Sequence, residues 1–226
     1  TLNLYPESAL VLSSNDYGMN GENPVYNIAE LIAELPEVHD PTGTQYYYYR
    51  QLNDLEKVLY QLFVGIDHSV DEHTIIISGV DEYTADELLH YGQRAFTACK
   101  TDFPIMNFYW DYNPNPQITK NQDGTFTYTL KSSTVYSQYY ENVVLARATD
   151  IIERVGEGDE YTRLRELTEI IMYEMDYDPL EVFSYDRSAK INNCIVSCLA
   201  YNVSVCGGFA DTMKYLCDEL GIPCII

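Results

Sequence analysis

Cys206 stands at the head of a segment that reads as a helix. Phe209, Ala210, Met213, Leu216 and Leu220 recur at three- and four-residue steps, and Gly221 is a favoured residue just past a helix end. A thiol at a helix opening sits among unpaired backbone N–H groups at the positive end of the helix dipole, which favours thiolate over thiol. Gly207 and Gly208 let other backbone or a substrate come close beside it. A thiolate in that position has the chemistry to attack a carbonyl carbon and hold the acyl group as a thioester. The plainer alternative is an inert core thiol, because free cysteine is among the most frequently buried residue types.

The remaining candidates read more simply. Cys194 and Cys198 are four residues apart on a helical stretch, a spacing that can ligate metal. No second Cys/His pair stands nearby to complete a tetrahedron, so they read as structural thiols, and neither metal nor cofactor is expected. Cys217 lies further along the Cys206 helix and Cys224 follows it; a disulfide among the cysteines is neither excluded nor assigned. Asp111-x-Asn113-x-Asn115 fails as a calcium loop, with Pro116 where glycine is needed and Gln122 where a bidentate glutamate should be. His39, His68, His73 and His90 all lie far upstream of Cys206 and read as surface or hairpin residues.

Several elements must position the thiol. Residues 1 to 45 lack periodicity apart from a short helix expected at 28–35, and Leu52, Leu55, Leu59 and Leu62 mark a first clear helix. A strand is expected over 73–80, and Thr84-Ala-Asp-Glu87 is a capping box opening a helix to about Cys99. The run 106–112 reads as a strand. Residues 117–120 and 125–130 read as a hairpin whose Phe126, Tyr128 and Leu130 alternate with threonines. A helix over 141–155 is broken by Gly156-Glu157-Gly158, where a domain boundary is expected. Beyond it, 159–175 forms a helix with Leu164, Leu167, Ile170 and Ile171 on one face and ends at Tyr177-Asp178-Pro179. A short helix over 188–199 leads to Cys206, and 222–226 begins a strand. The fold class is α+β.

Composition narrows the partners. With 46% apolar and 21% charged residues the chain is globular, not disordered. A net charge of −22 opposes nucleic acid and anionic lipid, both of which need clustered Lys and Arg. No apolar run approaches the ~20 residues needed to span a bilayer. The 22 tyrosines suit either the rim of a core or a carbohydrate or peptide surface. Thr1 is not a start methionine, so a leader removed before residue 1 and an extracellular or cell-surface location are expected.

Val205-Cys206-Gly207-Gly208-Phe209-Ala210, followed by Lys214-Tyr215-Leu216 and Glu219-Leu220-Gly221-Ile222-Pro223, resembles the nucleophile segment of the transglutaminase-like superfamily. That pattern is Cys, a variable residue, Gly, an aromatic and Ala, then a helix running out into Gly-Ile. The upstream helix closing with Tyr177-Asp178 is similar to the segment before the nucleophile in bacterial members, so the likeness covers roughly residues 160 to 226. The resemblance implies a papain-like core with a Cys-His-Asp triad. Cys206 would attack a protein or cell-wall peptide amide, and water or an amine would resolve the thioester. It divides the chain into an N-terminal α+β domain of unknown role, 1–156, and the first half of the core, 157–226.

The family carries its His and Asp on strands after the nucleophile helix. No histidine follows Cys206 here, so these 226 residues alone are expected to be inactive and the natural chain to continue past Ile226. For the oxyanion, the Cys206 backbone N–H is the first donor, with Tyr177 as the aromatic second donor and Tyr201 as runner-up, unless both are ordinary packing tyrosines. Gly207 stands where the family commonly has Gln or Glu. The competing reading is a cell-surface binding module that keeps the fold without catalysis. A cysteine-based metal or redox protein is a third.

Overall fold

A computed structural model describes residues 24–35, 37–38, 40, 42–66, 72–109, 116–131, 138–178 and 193–226. The order is β1 (Val25–Asn27), α1 (Ile28–Ala33), α2 (Asp54–Val64), β2 (Glu72–Ser78), α3 (Ala85–Asp102) and α4 (Met106–Tyr109). Then come β3 (Gln117–Lys120), β4 (Phe126–Lys131), α5 (Gln138–Arg154), α6 (Glu160–Glu174), β5 (Asp176–Tyr177), α7 (Ile195–Tyr201), β6 (Val203–Ser204) and α8 (Cys206–Glu219). The protein is of the α+β class. Among the described residues no helix is long and apolar enough to cross a membrane.

One sheet runs β1-β2-β4-β3, with β1 parallel to β2 and the other pairs antiparallel. Period-two alternation sets its buried face: His73, Ile75 and Ile77 of β2 stand opposite Leu130, Tyr128 and Phe126 of β4. α2 and α3 pack together beside this sheet, and Phe63 meets Phe96 and Tyr128 edge-on at 5.5 and 6.0 Å. Gly92 makes room for the Tyr128 ring, since a Cβ there would lie 2.6 Å from Cε1, and the Tyr128 hydroxyl donates to the Leu88 carbonyl. Both helices open with the reciprocal cap their sequences carry, Asn53 with Glu56 and Thr84 with Glu87.

The second half is helical. α5 packs against α7 and also touches α6 and α8, and α7 lies on α8. Val144, Ala148 and Ile151 of α5 are buried in the same continuous core as Leu199, Leu216 and Ile75. Arg147 and Arg154 of α5 both pair with Glu174 at the end of α6, which fixes the point where the chain turns into β5.

Several expectations are corrected. Residues 106–109 are a helical turn, not a strand, while 110–112 lie outside the described residues. Pro104 presets a helical first turn, and Met106 and Asn107 close it by donating to the carbonyls of Phe103 and Pro104. The helix before Cys206 begins at Ile195 and runs past Leu199 to Tyr201, where Asn202 caps it at φ 57°; residues 188–192 lie outside the described residues. Leu164 is exposed while Leu167 and Ile171 are buried, so the inward stripe of α6 is narrower than its periodicity implies. His73 is not a surface residue, because the alternation that buries Ile75 and Ile77 buries it too. Residues 222–226 pair with no strand among the described residues. Instead the Cys224 N–H donates to Thr44 Oγ1 at 3.0 Å, and the Tyr48 hydroxyl donates to the Ile226 carbonyl at 2.6 Å.

Candidate active site

Four short pieces converge at the start of α8. α7 ends in the left-handed Asn202, β6 follows at once, and Val205 then turns the extended chain into α8 with Cys206 as its first residue. Val205, the N-cap residue, makes no side-chain cap hydrogen bond, and the helix-start N–H groups bring partial positive charge to this end of α8. Cys206 is exposed, whereas Cys99, Cys194, Cys198 and Cys217 are buried and Cys224 is half-buried.

The two glycines after Cys206 are occupied by neighbours rather than open. A Cβ on Gly208 would lie 2.0 Å from Ser204 Oγ, 2.7 Å from the Cys194 carbonyl oxygen and 2.9 Å from Ser197 Oγ. α8 therefore seats directly on the start of α7. Beneath it Ser197 and Ser204 are fully buried, with Ser197 Oγ 2.6 Å from both the Cys194 carbonyl and Ser204 Oγ. A Cβ on Gly207 would lie 2.1 Å from Asn193 Oδ1, so the Asn193 carboxamide fills the space a larger residue would take.

Tyr177 comes to this site through backbone pairing. β5 runs parallel to β6 with Asp176 opposite Val203 and Tyr177 opposite Ser204, two residues before Cys206. Asp176 N–H donates to the Asn202 carbonyl at 2.8 Å and Asp178 N–H to the Ser204 carbonyl at 2.9 Å. The Tyr177 ring is 51% exposed and stacks on Phe209 of α8, with centroids 6.1 Å apart and planes 13° apart. Tyr201 is used differently. Its hydroxyl meets that of Tyr140 on α5, and this hydrogen bond, before any burial, pushes the Tyr201 hydroxyl up to about 12.

Buried polar groups lie on α8 and in the core around it. Asp211 accepts from Asn107 Nδ2 at 3.2 Å through both oxygens, and its burial pushes the carboxyl up to about 7. Lys214, 1% exposed, pairs with Asp218 at 2.5–2.7 Å. Asp102 accepts from Tyr48 N–H, Tyr49 N–H and the Tyr60 hydroxyl, and burial outweighs these bonds to push it up to about 6. Neither Asn107 nor the two buried serines carries a local sequence signal, and only the three-dimensional packing brings them to α8.

Burial also separates the other thiols. It pushes Cys194 and Cys198 up to about 11, and Cys198 Sγ lies 3.1 Å from Met175 Sδ. Cys217 and Cys224 are hydrogen-bonded to each other, which raises the Cys217 thiol and lowers Cys224 to about 7. Among the described residues no three His, Cys, Asp or Glu side chains gather as metal ligands would, and Asp111, Asn113 and Asn115 lie outside them. His73 belongs to the sheet and His90 to α3, while His39 and His68 lie outside the described residues.

What the arrangement can do chemically is present an exposed thiol at the start of a helix whose first turn also carries the Phe209 ring stacked on Tyr177. No protein-family model matches the chain, and a search of curated proteins finds no match either.

Proposed function

We propose that the protein is a transglutaminase-like thiol hydrolase or acyltransferase that acts on protein or peptide amides outside the cytoplasm, with Cys206 as nucleophile. The observation that carries this is the exposed Cys206 at the start of α8, with Tyr177 brought alongside by the β5–β6 pair. The thiolate adds to the amide carbonyl and the carbonyl electron pair moves to oxygen. Loss of the amine leaves a thioester, which water or a second amine resolves. The Cys206 N–H and the Tyr177 hydroxyl are the donors assigned to the oxyanion. The described histidines, His73 in the sheet and His90 on α3, are not assigned as the proton acceptor.

The test uses the protein as isolated from its host, with a glutamine-bearing peptide, a cell-wall stem peptide and a dansylated primary amine. Hydrolysed or amine-coupled product that disappears in Cys206→Ala supports the reading. Full turnover by Cys206→Ala overturns it. The upstream location of the histidines favours a second reading, a non-catalytic cell-surface module. That reading requires Cys206→Ala to be retained on peptidoglycan as well as wild type, with no turnover by either.

A further inference from the structure

Past the end of α8 the chain turns back on the helix it has just left. Leu220 N–H still donates to the Leu216 carbonyl, but Gly221 is left-handed at φ 66° and Ile222 N–H returns to the Cys217 carbonyl at 2.8 Å. Two contacts with the N-terminal half then pin the segment that follows. Cys224 N–H donates to Thr44 Oγ1 at 3.0 Å, and the Tyr48 hydroxyl donates to the Ile226 carbonyl at 2.6 Å. Between these anchors the Cys224 thiol meets the Cys217 thiol, and the two are hydrogen-bonded. Cys217 is 1% exposed in the core, while Cys224 is half-buried and packs against that core.

Other sulfur neighbours here have no such option. Cys198 faces the thioether of Met175, which cannot form a disulfide. Cys206 stands at the opposite end of α8 from Cys217, roughly 16 Å away along the axis at 1.5 Å per residue. A disulfide forms when an accessible thiolate attacks an external disulfide and a second thiol in contact with it completes the exchange. Cys224 has the access, and the Cys217 hydrogen bond followed by the Lys214 charge favours its thiolate. Cys217, buried behind it, is placed as the second thiol.

We propose that Cys217 and Cys224 are an oxidation site, a dithiol that closes to a disulfide by exchange with a low-molecular-weight disulfide such as oxidised glutathione. The Cys224 thiolate attacks one glutathione sulfur, the S–S bond breaks and a glutathione thiolate leaves. Cys217 then gives its proton to solvent and attacks the Cys224 sulfur, expelling the second glutathione thiolate. Two protein thiols are oxidised to one disulfide, and one glutathione disulfide is reduced to two thiols. The new bond ties residues 222–226, with their contacts to Thr44 and Tyr48, to the last turns of α8. The site does not depend on the function proposed for Cys206.

The experiment equilibrates the chain with graded ratios of oxidised to reduced glutathione, natively and in urea, followed by acid quenching and non-reducing peptide mapping. A Cys217–Cys224 cross-link is expected in the native protein, with an equilibrium constant for closure about 10-fold or more above that in urea. Cys217→Ser should stop at a glutathione adduct on Cys224. Cys224→Ser, a change at the half-buried position, should leave Cys217 unmodified. The oxidised chain should unfold at a higher temperature than the reduced one. Equal closure in native and urea samples overturns the proposal. So does native Cys224 that cross-links mainly to Cys206 or holds glutathione without closing. An oxidised chain that unfolds earlier than the reduced one overturns it too, because the sulfurs would then meet only by distorting the segment.

Discussion

The ring of Tyr177 lies nearly parallel to that of Phe209, with centroids 6.1 Å apart, and so couples the two-residue strand β5 to the first turn of α8. An aromatic pair of this kind contributes ~0.5–1.5 kcal/mol beyond its buried area. Phe209→Leu should therefore lower stability by about 1 kcal/mol in urea titration while leaving the β5–β6 backbone pairing in place. Tyr177→Phe keeps the stack and removes only the hydroxyl. Its unfolding midpoint should match wild type while acetylation of Cys206 by 4-nitrophenyl acetate slows at least several-fold. An unchanged acetylation rate would remove Tyr177 from the oxyanion site.

The glycines after Cys206 should differ in their tolerance of a methyl group. At Gly208 the added carbon meets the Cys194 backbone at 2.7 Å, which cannot swing aside, and two buried serine hydroxyls that are hydrogen-bonded to each other. Overpacking of this kind costs about 2–3 kcal/mol. At Gly207 the obstacle is the Asn193 side chain, which has a rotamer to escape to, so Gly207→Ala should cost roughly 1 kcal/mol. Chemical denaturation of both variants checks the ranking, and equal costs would contradict the packing described at the start of α8.

Asp211 should make the protein less stable as pH rises through neutrality. Its carboxyl is near 7 in the folded chain against an ordinary 3.8, so the folded state holds a proton that the unfolded state has released. That stability is full below the ordinary value and is lost as pH rises through about 7. Asp102, near 6, adds a loss in the same direction at lower pH. Between pH 5 and 8 the wild type should lose roughly 2–4 kcal/mol. Asp211→Asn keeps an acceptor for Asn107 but cannot titrate, and should lose visibly less. Identical pH slopes in urea titrations would show that Asp211 is ionised at neutral pH.

Thiol labelling should separate the cysteines into two classes. Cys206 is exposed, and the half-buried Cys224 is held down near 7 by its hydrogen bond with Cys217, so both should label with iodoacetamide in the native protein at pH 7.5. Cys99, Cys194, Cys198 and Cys217, buried and shifted upward, should label only after unfolding. Peptide mapping before and after denaturant reads this directly. Native labelling at Cys198 would contradict its position beside Met175. Because Cys224 competes, total thiol titration alone cannot report on Cys206.

Much of the fold is legible wherever the signal is local. Thr84 and Glu87 announce α3, the alternation of Phe126, Tyr128 and Leu130 announces β4, and the stripe from Phe209 to Leu220 places Cys206 at a helix start. Local patterns mislead at 106–109, where apolar alternation resembles a strand but Pro104 dictates a turn. Tyr177 stands out in the sequence at the end of its helix, yet its stack on Phe209 depends on a strand pair too short to carry any periodicity. Asn107 and Asp211 meet across 104 residues, and nothing in either neighbourhood marks the partnership. Asn193 is equally silent until Gly207 is seen to be filled by it.

The most direct test of the account is the acetylation rate of Cys206 by 4-nitrophenyl acetate, measured on the Cys206 peptide in the folded chain and again in denaturing urea. If the start of α8 activates the thiol and stabilises the oxyanion, the folded rate should exceed the unfolded one by about 10-fold or more. It should also exceed the rate at Cys224 in the same sample. Equal rates in the folded and unfolded chain, or faster acetylation at Cys224, would contradict the assignment of Cys206 as the nucleophile.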